Sequence, residues 1–201
     1  MHAPLATKVS RPPFKPKTVG EALYWSYTNL AMAYASGRHN EPDYQQIDFI
    51  VRNKTYYGLL RGSLRMGSFF MDEKCKIGAN ACCYCKSGDF LSLDHLIPQF
   101  SGRTHSADNL VLACRSCNSS KGKIDFLAWT VKQGRFPPLH TLRRYLKLAV
   151  IYCVEHDLMT IELVTVEKVA PTLPMALSHL PYDYPTPLEL FGSSNEEKPD
   201  A

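Results

Sequence analysis

Two C-x-x-C pairs, Cys82 with Cys85 and Cys114 with Cys117, each allow one tight turn to aim two sulfurs to the same side. Together they offer the four thiolates of a structural Zn²⁺ site, a tetrahedron with Zn–S distances of about 2.3 Å. The chain between the pairs carries Asp94, His95 and Asn109, and Asn118 directly follows the second pair. His95 supplies an imidazole whose ordinary pKa lies near neutrality, which suits a general base taking a proton from water. Asp94 and Asn118 supply oxygens to a hard cation such as Mg²⁺ or Mn²⁺, with waters and phosphate oxygens completing an octahedron. The chemistry that these residues could perform together is metal-assisted hydrolysis of a phosphodiester.

The other residues of the same types read as structural. Cysteine occurs seven times, an odd count, and the pairing of four in C-x-x-C steps argues for thiolates on a metal in a reducing compartment, not a disulfide framework. Cys75, Cys83 and Cys153 read as small buried hydrophobes, with Cys83 the one neighbour able to replace Cys82 as a ligand. His2, His39, His140, His156 and His179 read as structural histidines, and His105 as a lesser DNA or metal contact in the loop after His95.

The spacing resembles that of the HNH nuclease family. Asp94-His95-Leu96-Ile97-Pro98 matches its DHxxP step, Asn109-Leu110 its NL step and Cys114 to Gly122 its CxxCNxxKG step, so that the resemblance spans Cys82 to Lys123. It implies a ββα-metal core and four catalytic residues, His95, Asp94, Asn109 and Asn118. Asp94 and Asn118 are implied to hold the catalytic ion, and Asn109 to brace the loop by backbone hydrogen bonds and so aim His95. The implied reaction is cleavage of DNA to 5′-phosphate and 3′-hydroxyl ends. Its biological settings include restriction and anti-phage defence, and the partner class beyond DNA is a second copy of the chain or a defence-system protein. Many family members carry Gly-Gly where this chain has Ser101-Gly102. The alternative from another class is a non-catalytic zinc module that binds nucleic acid or protein. Such a module needs the thiolates and a basic face, but not Asp94, His95, Asn109 and Asn118 together.

The elements that must position these residues follow from caps and periodicity. Thr18 and Glu21 form a T-x-x-E capping box ahead of an Ala- and Leu-rich helix to Ser36, closed by Gly37. A second helix is expected from Asp43 to Arg61 with Gly62 as its stop, and a short one from Ser68 to Lys76. Asp89 to Leu93 alternates as a strand leading into Asp94, Val111-Leu112 can pair with it, and one helix is expected from Ser116 past Phe126, Leu127 and Trp129 to Gly134. After Pro137-Pro138 a further helix places Leu139, Leu142, Leu146, Ala149 and Cys153 on one face and turns Arg143, Arg144 and Lys147 elsewhere. Ile161 to Val166 reads as an edge strand. Pro171 to Pro187, with five prolines, reads as extended chain.

The fold class expected from this order is α+β and mostly helical: a ββα-metal HNH core with zinc-clamped knuckles, packed against N- and C-terminal flanking helices. Its expected division is a flexible basic N-terminus over residues 1–17, a helical region over 18–76 and the nuclease core over 77–130. A C-terminal helix and edge segment over 131–170 and a proline-rich segment with an acidic tail over 171–201 complete it. With 201 residues, 45% of them hydrophobic, and a mean hydropathy of −0.22, the composition is that of an ordinary globular domain. No run approaches the roughly 18 apolar residues of a membrane span, and Met1 to Lys17 lacks the apolar stretch of a signal peptide, so that a cytoplasmic location is expected.

Charge is unevenly spread. Leu110 to Val150 holds eight Lys or Arg against one acid, and Ile151 to Ala201 two against nine, nets of +7 and −7. A basic block beside the motif suits a polyanion. The phosphate contacts expected from it are Arg103, Arg115, Lys121, Lys123, Arg143, Arg144 and Lys147.

Overall fold

Thr18 holds an extended backbone (φ −108°, ψ 162°), and its hydroxyl accepts from the Glu21 N–H at 3.2 Å, satisfying one of the donors that a helix start leaves open. The return half of the box is shifted by one residue, since Glu21 Oε2 accepts from the Lys17 N–H at 2.7 Å. The helix so started is α1, Val19–Ser36. The computed structural model describes residues 14–67, 80–98 and 107–192, so the expected helix from Ser68 to Lys76, Cys75, Ser101-Gly102, Arg103, His105, residues 1–13 and the tail from 193 lie outside the described residues.

α1 is buried on most of its circumference, through Val19, Ala22, Leu23, Leu30 and Ala33, because it packs on two other helices. One is α2, Gln46–Leu60, which starts three residues later than the expected Asp43 and stops ahead of Gly62, whose φ of +69° the helix cannot continue. Phe14, Trp25 and Tyr56 join the pair, with Phe14 and Trp25 stacked at 4.0 Å and Tyr56 edge-on to both at 5.3 Å.

Two strands follow, β1 (Leu91–His95) and β2 (Leu110–Cys114), antiparallel in the register Leu91↔Cys114, Leu93↔Leu112 and His95↔Leu110. The strand expected from Asp89 begins two residues late, because Phe90 takes a left-handed φ of 45°, and it runs on through Asp94 and His95. The single helix expected after Ser116 is two helices, α3 (Arg115–Lys121) and α4 (Phe126–Lys132). Gly122 at φ +53° ends the first, and Asp125 caps the second by accepting from the Leu127 and Ala128 N–H groups at 2.9 and 3.3 Å.

α5, Leu139–Glu155, is the other helix packed on α1, and its expected apolar face is buried. The segment expected as an edge strand makes a lone bridge, Thr18↔Glu162, and then turns into a short helix, α6, Val166–Val169. Its backbone straps the start of α1: the Val19 N–H donates to Ile161 O, and the Leu163 N–H donates to Lys17 O, each at 2.9 Å. The proline segment is not extended throughout either. It turns at Leu177–His179, buries Met175, Leu177 and Leu180 against the core, and ends in α7, Pro187–Phe191, capped by Thr186. Apolar residues between the prolines bring it back, since burying each of them stabilises the fold by about 1.5–3 kcal/mol.

The protein is thus a mostly helical α+β fold whose small two-stranded sheet and α3 form a ββα unit, with α1, α2 and α5 as flanking helices. Phe126, Trp129, Tyr145, Leu142 and Leu146 share one buried cluster with Cys82 and Cys114, so that the two knuckles are walls of the main core. Among the described residues no helix is long and apolar enough to cross a membrane.

Candidate active site and zinc knuckles

The first knuckle is a turn in which the Lys86 N–H donates to Cys82 O at 2.9 Å and the Cys82 N–H to Ser87 O at 2.7 Å. Lys86 itself takes φ 65°, a conformation that β-carbon sterics disfavour and that the turn imposes. The second knuckle joins strand to helix: Cys114 ends β2 and caps α3, whose first turn holds Cys117. The four Sγ atoms lie within 4.8 Å of one another, Cys85 and Cys114 at 3.6 Å. A zinc tetrahedron has S–S edges of about 3.8 Å, so four sulfurs this close are positioned for the ion. The donor chemistry fits as well, because four sulfurs are the soft ligands that zinc takes, and the Cys117 N–H is aimed at Cys114 Sγ.

Cys83 is not a fifth candidate. Its N–H donates to Leu112 O at 2.8 Å, its carbonyl accepts from Thr141 Oγ1 of α5 at 3.0 Å, and burial pushes its thiol far up. Cys153 is fully buried, and its thiol is pushed up to about 12 by desolvation, as suits a core residue.

Tyr84 connects the first knuckle to the neighbouring polar cluster. Its ring lies stacked on Phe126 at 5.7 Å and edge-on to Trp129 at 5.0 Å, and its hydroxyl donates to Asp94 Oδ2 at 2.7 Å. Burial, reinforced by nearby negative charge, holds the Tyr84 hydroxyl well above its ordinary pKa and therefore protonated as a donor. Tyr84→Phe is expected to cost about 1.5–3 kcal/mol, the usual loss when a hydrogen bond to a charged group goes. Denaturant unfolding with zinc content measured in parallel checks this: unchanged zinc with a loss below about 0.5 kcal/mol would show that the bond contributes little.

Asp94 is 7% exposed. Its Oδ1 accepts from the His95 N–H at 2.8 Å, and Lys121 Nζ stands 3.2 Å from each carboxylate oxygen. Lys121 also donates to His95 O at 2.6 Å, so the backbone of His95 is held on both sides while its half-buried side chain ends β1. The turn beyond it is held by Asn109, which is 2% exposed. Asn109 Oδ1 accepts from the Ile97 N–H at 2.9 Å, its Nδ2 donates to Ile97 O at 2.8 Å, and its carbonyl accepts from the Leu96 N–H at 3.0 Å. Asn118, on α3, ties that helix to β1 by donating from Nδ2 to Ser92 Oγ at 2.9 Å and Leu93 O at 3.4 Å. Asp94 and His95 thus lie on β1, Asn109 just before β2 and Asn118 on α3, all within the ββα unit. Asp94 and Asn118 are hard donors suited to Mg²⁺ or Mn²⁺ by type, although Asp94 is already shared with Lys121.

The expected phosphate contacts divide. Arg115 and Lys123 are exposed and available to a polyanion, and Arg103 lies outside the described residues. Lys121, Arg144 and Lys147 are 2%, 3% and 3% exposed, which corrects the expectation of a surface role for them. Arg144 donates from Nε to Asp108 O at 2.5 Å and from Nη2 to Ala107 O at 3.3 Å, and pairs with Asp108 at 3.5 Å, thereby holding the turn that carries Asn109. Arg143 is half-buried, with its guanidinium 5.8 Å from the Tyr34 ring. The reason is packing: α5 lies between α1 and the turn at Ala107–Asn109, so its residues from Leu139 to Val150 are covered on both faces. Tyr84, Ser92 and Arg144's grip on the turn were missed in the sequence. Only Tyr84 left a signal, a phenol in a buried knuckle that must find a hydrogen-bond partner.

Residues 82–123, which carry the strand pair, α3 and the four clustered cysteines, match the HNH endonuclease family model. Over 52 residues the chain is 40% identical to the CRISPR-associated endonuclease Cas9 of Corynebacterium diphtheriae, a match covering 24% of this chain and 5% of that protein. No solved structure matches the chain.

Proposed function

We propose that the protein is a metal-dependent endonuclease that hydrolyses DNA phosphodiester bonds, with His95 as the general base. The observation that supports this reading is the convergence of Asp94, the His95 backbone, Asn109 and Asn118 on one ββα unit, each held by its own hydrogen bonds. A zinc-stabilised binding module would not require that convergence.

In this reading His95 takes the proton of a water molecule as its oxygen attacks phosphorus, and the bond to the 3′ oxygen breaks. Asp94 and Lys121 hold the N–H and C=O of His95, and Asn109 holds the turn just beyond, so the base is aimed before substrate arrives. Asp94 and Asn118 would hold a Mg²⁺ or Mn²⁺ ion, which supplies charge neutralisation at the phosphate and at the departing oxygen. Arg115 and Lys123 contact the DNA backbone from the exposed side. The likeness to part of a CRISPR-associated endonuclease supports a setting in anti-phage defence or restriction.

Supercoiled plasmid incubated with the zinc-loaded chain is expected to be nicked or linearised with Mg²⁺ or Mn²⁺ and to stay intact without added cation. Cleavage undiminished by a chelator that leaves zinc in place would refute the catalytic ion. An intact plasmid under every condition would favour the binding module.

A further inference from the structure

The ammonium of Lys121 is a buried charge that, besides holding the His95 carbonyl, stands against both oxygens of Asp94. Tyr84, His95 and Lys121 supply Asp94 with contacts on both oxygens: Oδ2 from the Tyr84 hydroxyl at 2.7 Å, Oδ1 from the His95 N–H at 2.8 Å, and Lys121 Nζ at 3.2 Å from each. An ionised carboxylate has about four lone-pair positions, so these contacts engage the whole group. Lys121 is 2% exposed, and a charge that deep persists only when paired. Its partners are Asp94 and the His95 carbonyl, reached from α3 one turn beyond Asn118. The helix that brings one expected metal ligand thus also brings a cation to the other.

We propose that Lys121 is an internal cation that holds Asp94 in place and competes with the divalent metal for it. The chain alone then binds Mg²⁺ or Mn²⁺ weakly, and firm loading requires the negative charge of a DNA phosphate. This rests on the reading that Asp94 is a metal ligand. Lys121 acts as a positioning residue, and its charge sets the metal affinity of the free site. A fixed positive charge a few ångströms from a divalent ion in a partly dry site weakens binding by about 10- to 1000-fold.

The test is titration of the full, zinc-loaded chain with Mn²⁺ in the absence of DNA, followed by calorimetry and by the electron paramagnetic resonance of free Mn²⁺. Lys121→Met is expected to bind Mn²⁺ at least about 10-fold more tightly than the wild type. Adding Asp94→Asn to that variant is expected to abolish the gain. Equal or weaker binding by Lys121→Met overturns the proposal, even where the wild type cleaves plasmid in a metal-dependent way; that result leaves the nuclease reading standing. A gain that survives Asp94→Asn overturns both the proposal and the assignment of Asp94 as ligand.

Should Lys121→Met fail to fold, the ¹⁵N signal of the Lys121 ammonium in the wild type decides. It is expected to be protected from exchange without metal, and to shift or exchange faster when Mg²⁺ and a phosphorothioate oligonucleotide are added together. An unchanged signal at saturation overturns the competition.

Discussion

His95→Ala is expected to lower plasmid cleavage by about 10²- to 10⁴-fold, the usual contribution of a general base, while fold and zinc content stay as in the wild type. The separation of the two effects follows from where the residue sits. Its backbone N–H and C=O do the structural work, bonding Asp94 and Lys121, and an alanine keeps both bonds. Its half-buried imidazole is not one of the fully buried groups of the core, so removing it leaves no large cavity. Circular dichroism, zinc analysis and a cleavage time course on one preparation provide the check. Cleavage at the wild-type rate would remove His95 from the mechanism, and a collapse of the fold would make it a structural residue.

The second large effect is expected at the cysteine cluster. Cys117→Ser, or removal of the metal by a strong chelator, should leave the region from Cys82 to Lys121 unfolded. Apparent binding free energies of structural zinc sites are on the order of 10 kcal/mol, and in such sites binding free energy is folding free energy. The cost reaches beyond the knuckles because Cys82, Cys114 and Cys117 are walls of the main core, and Tyr84 passes the position of the first knuckle on to Asp94. Cys83→Ser is the internal control: this cysteine lies outside the cluster and should keep zinc. Equal damage from Cys83→Ser and Cys117→Ser would mean that the ligand set is wrong.

Residues whose placement depends on spacing could be located directly from the sequence. C-x-x-C fixes the reach of two sulfurs whatever surrounds them, and the intervals from Asp94 to Asn109 and on to Asn118 place those residues on β1, before β2 and on α3. Residues whose role depends on direction could not. Lys121, Arg144 and Lys147 count as positive charge in any block sum, but a sum carries no information on which face of a helix is covered. The first three turns of α5 are covered on both, and only the tertiary arrangement reveals that. The break between α3 and α4 was written in Gly122 and Asp125, a stop followed by a cap, yet the apolar run through Phe126 and Trp129 masked it. The proline segment shows the same limit from the other side, since composition argued for extended chain while Met175, Leu177 and Leu180 found room in the core.

The pairing of β1 with β2 also sets where this chain can change length. The register couples Leu91 to Cys114 at one end and His95 to Leu110 at the other, with Asn109 fastened to Ile97 just past it. The strand pair is therefore a ruler that measures the distance from the cysteine cluster to the base. One residue inserted anywhere in β2 would exchange inward and outward side chains along part of the ruler, and either Asn109 or Cys114 would miss its mark. The interval from Leu110 to Cys114 is thus fixed to the residue, and a change of length inside it would part the cysteine cluster from the base.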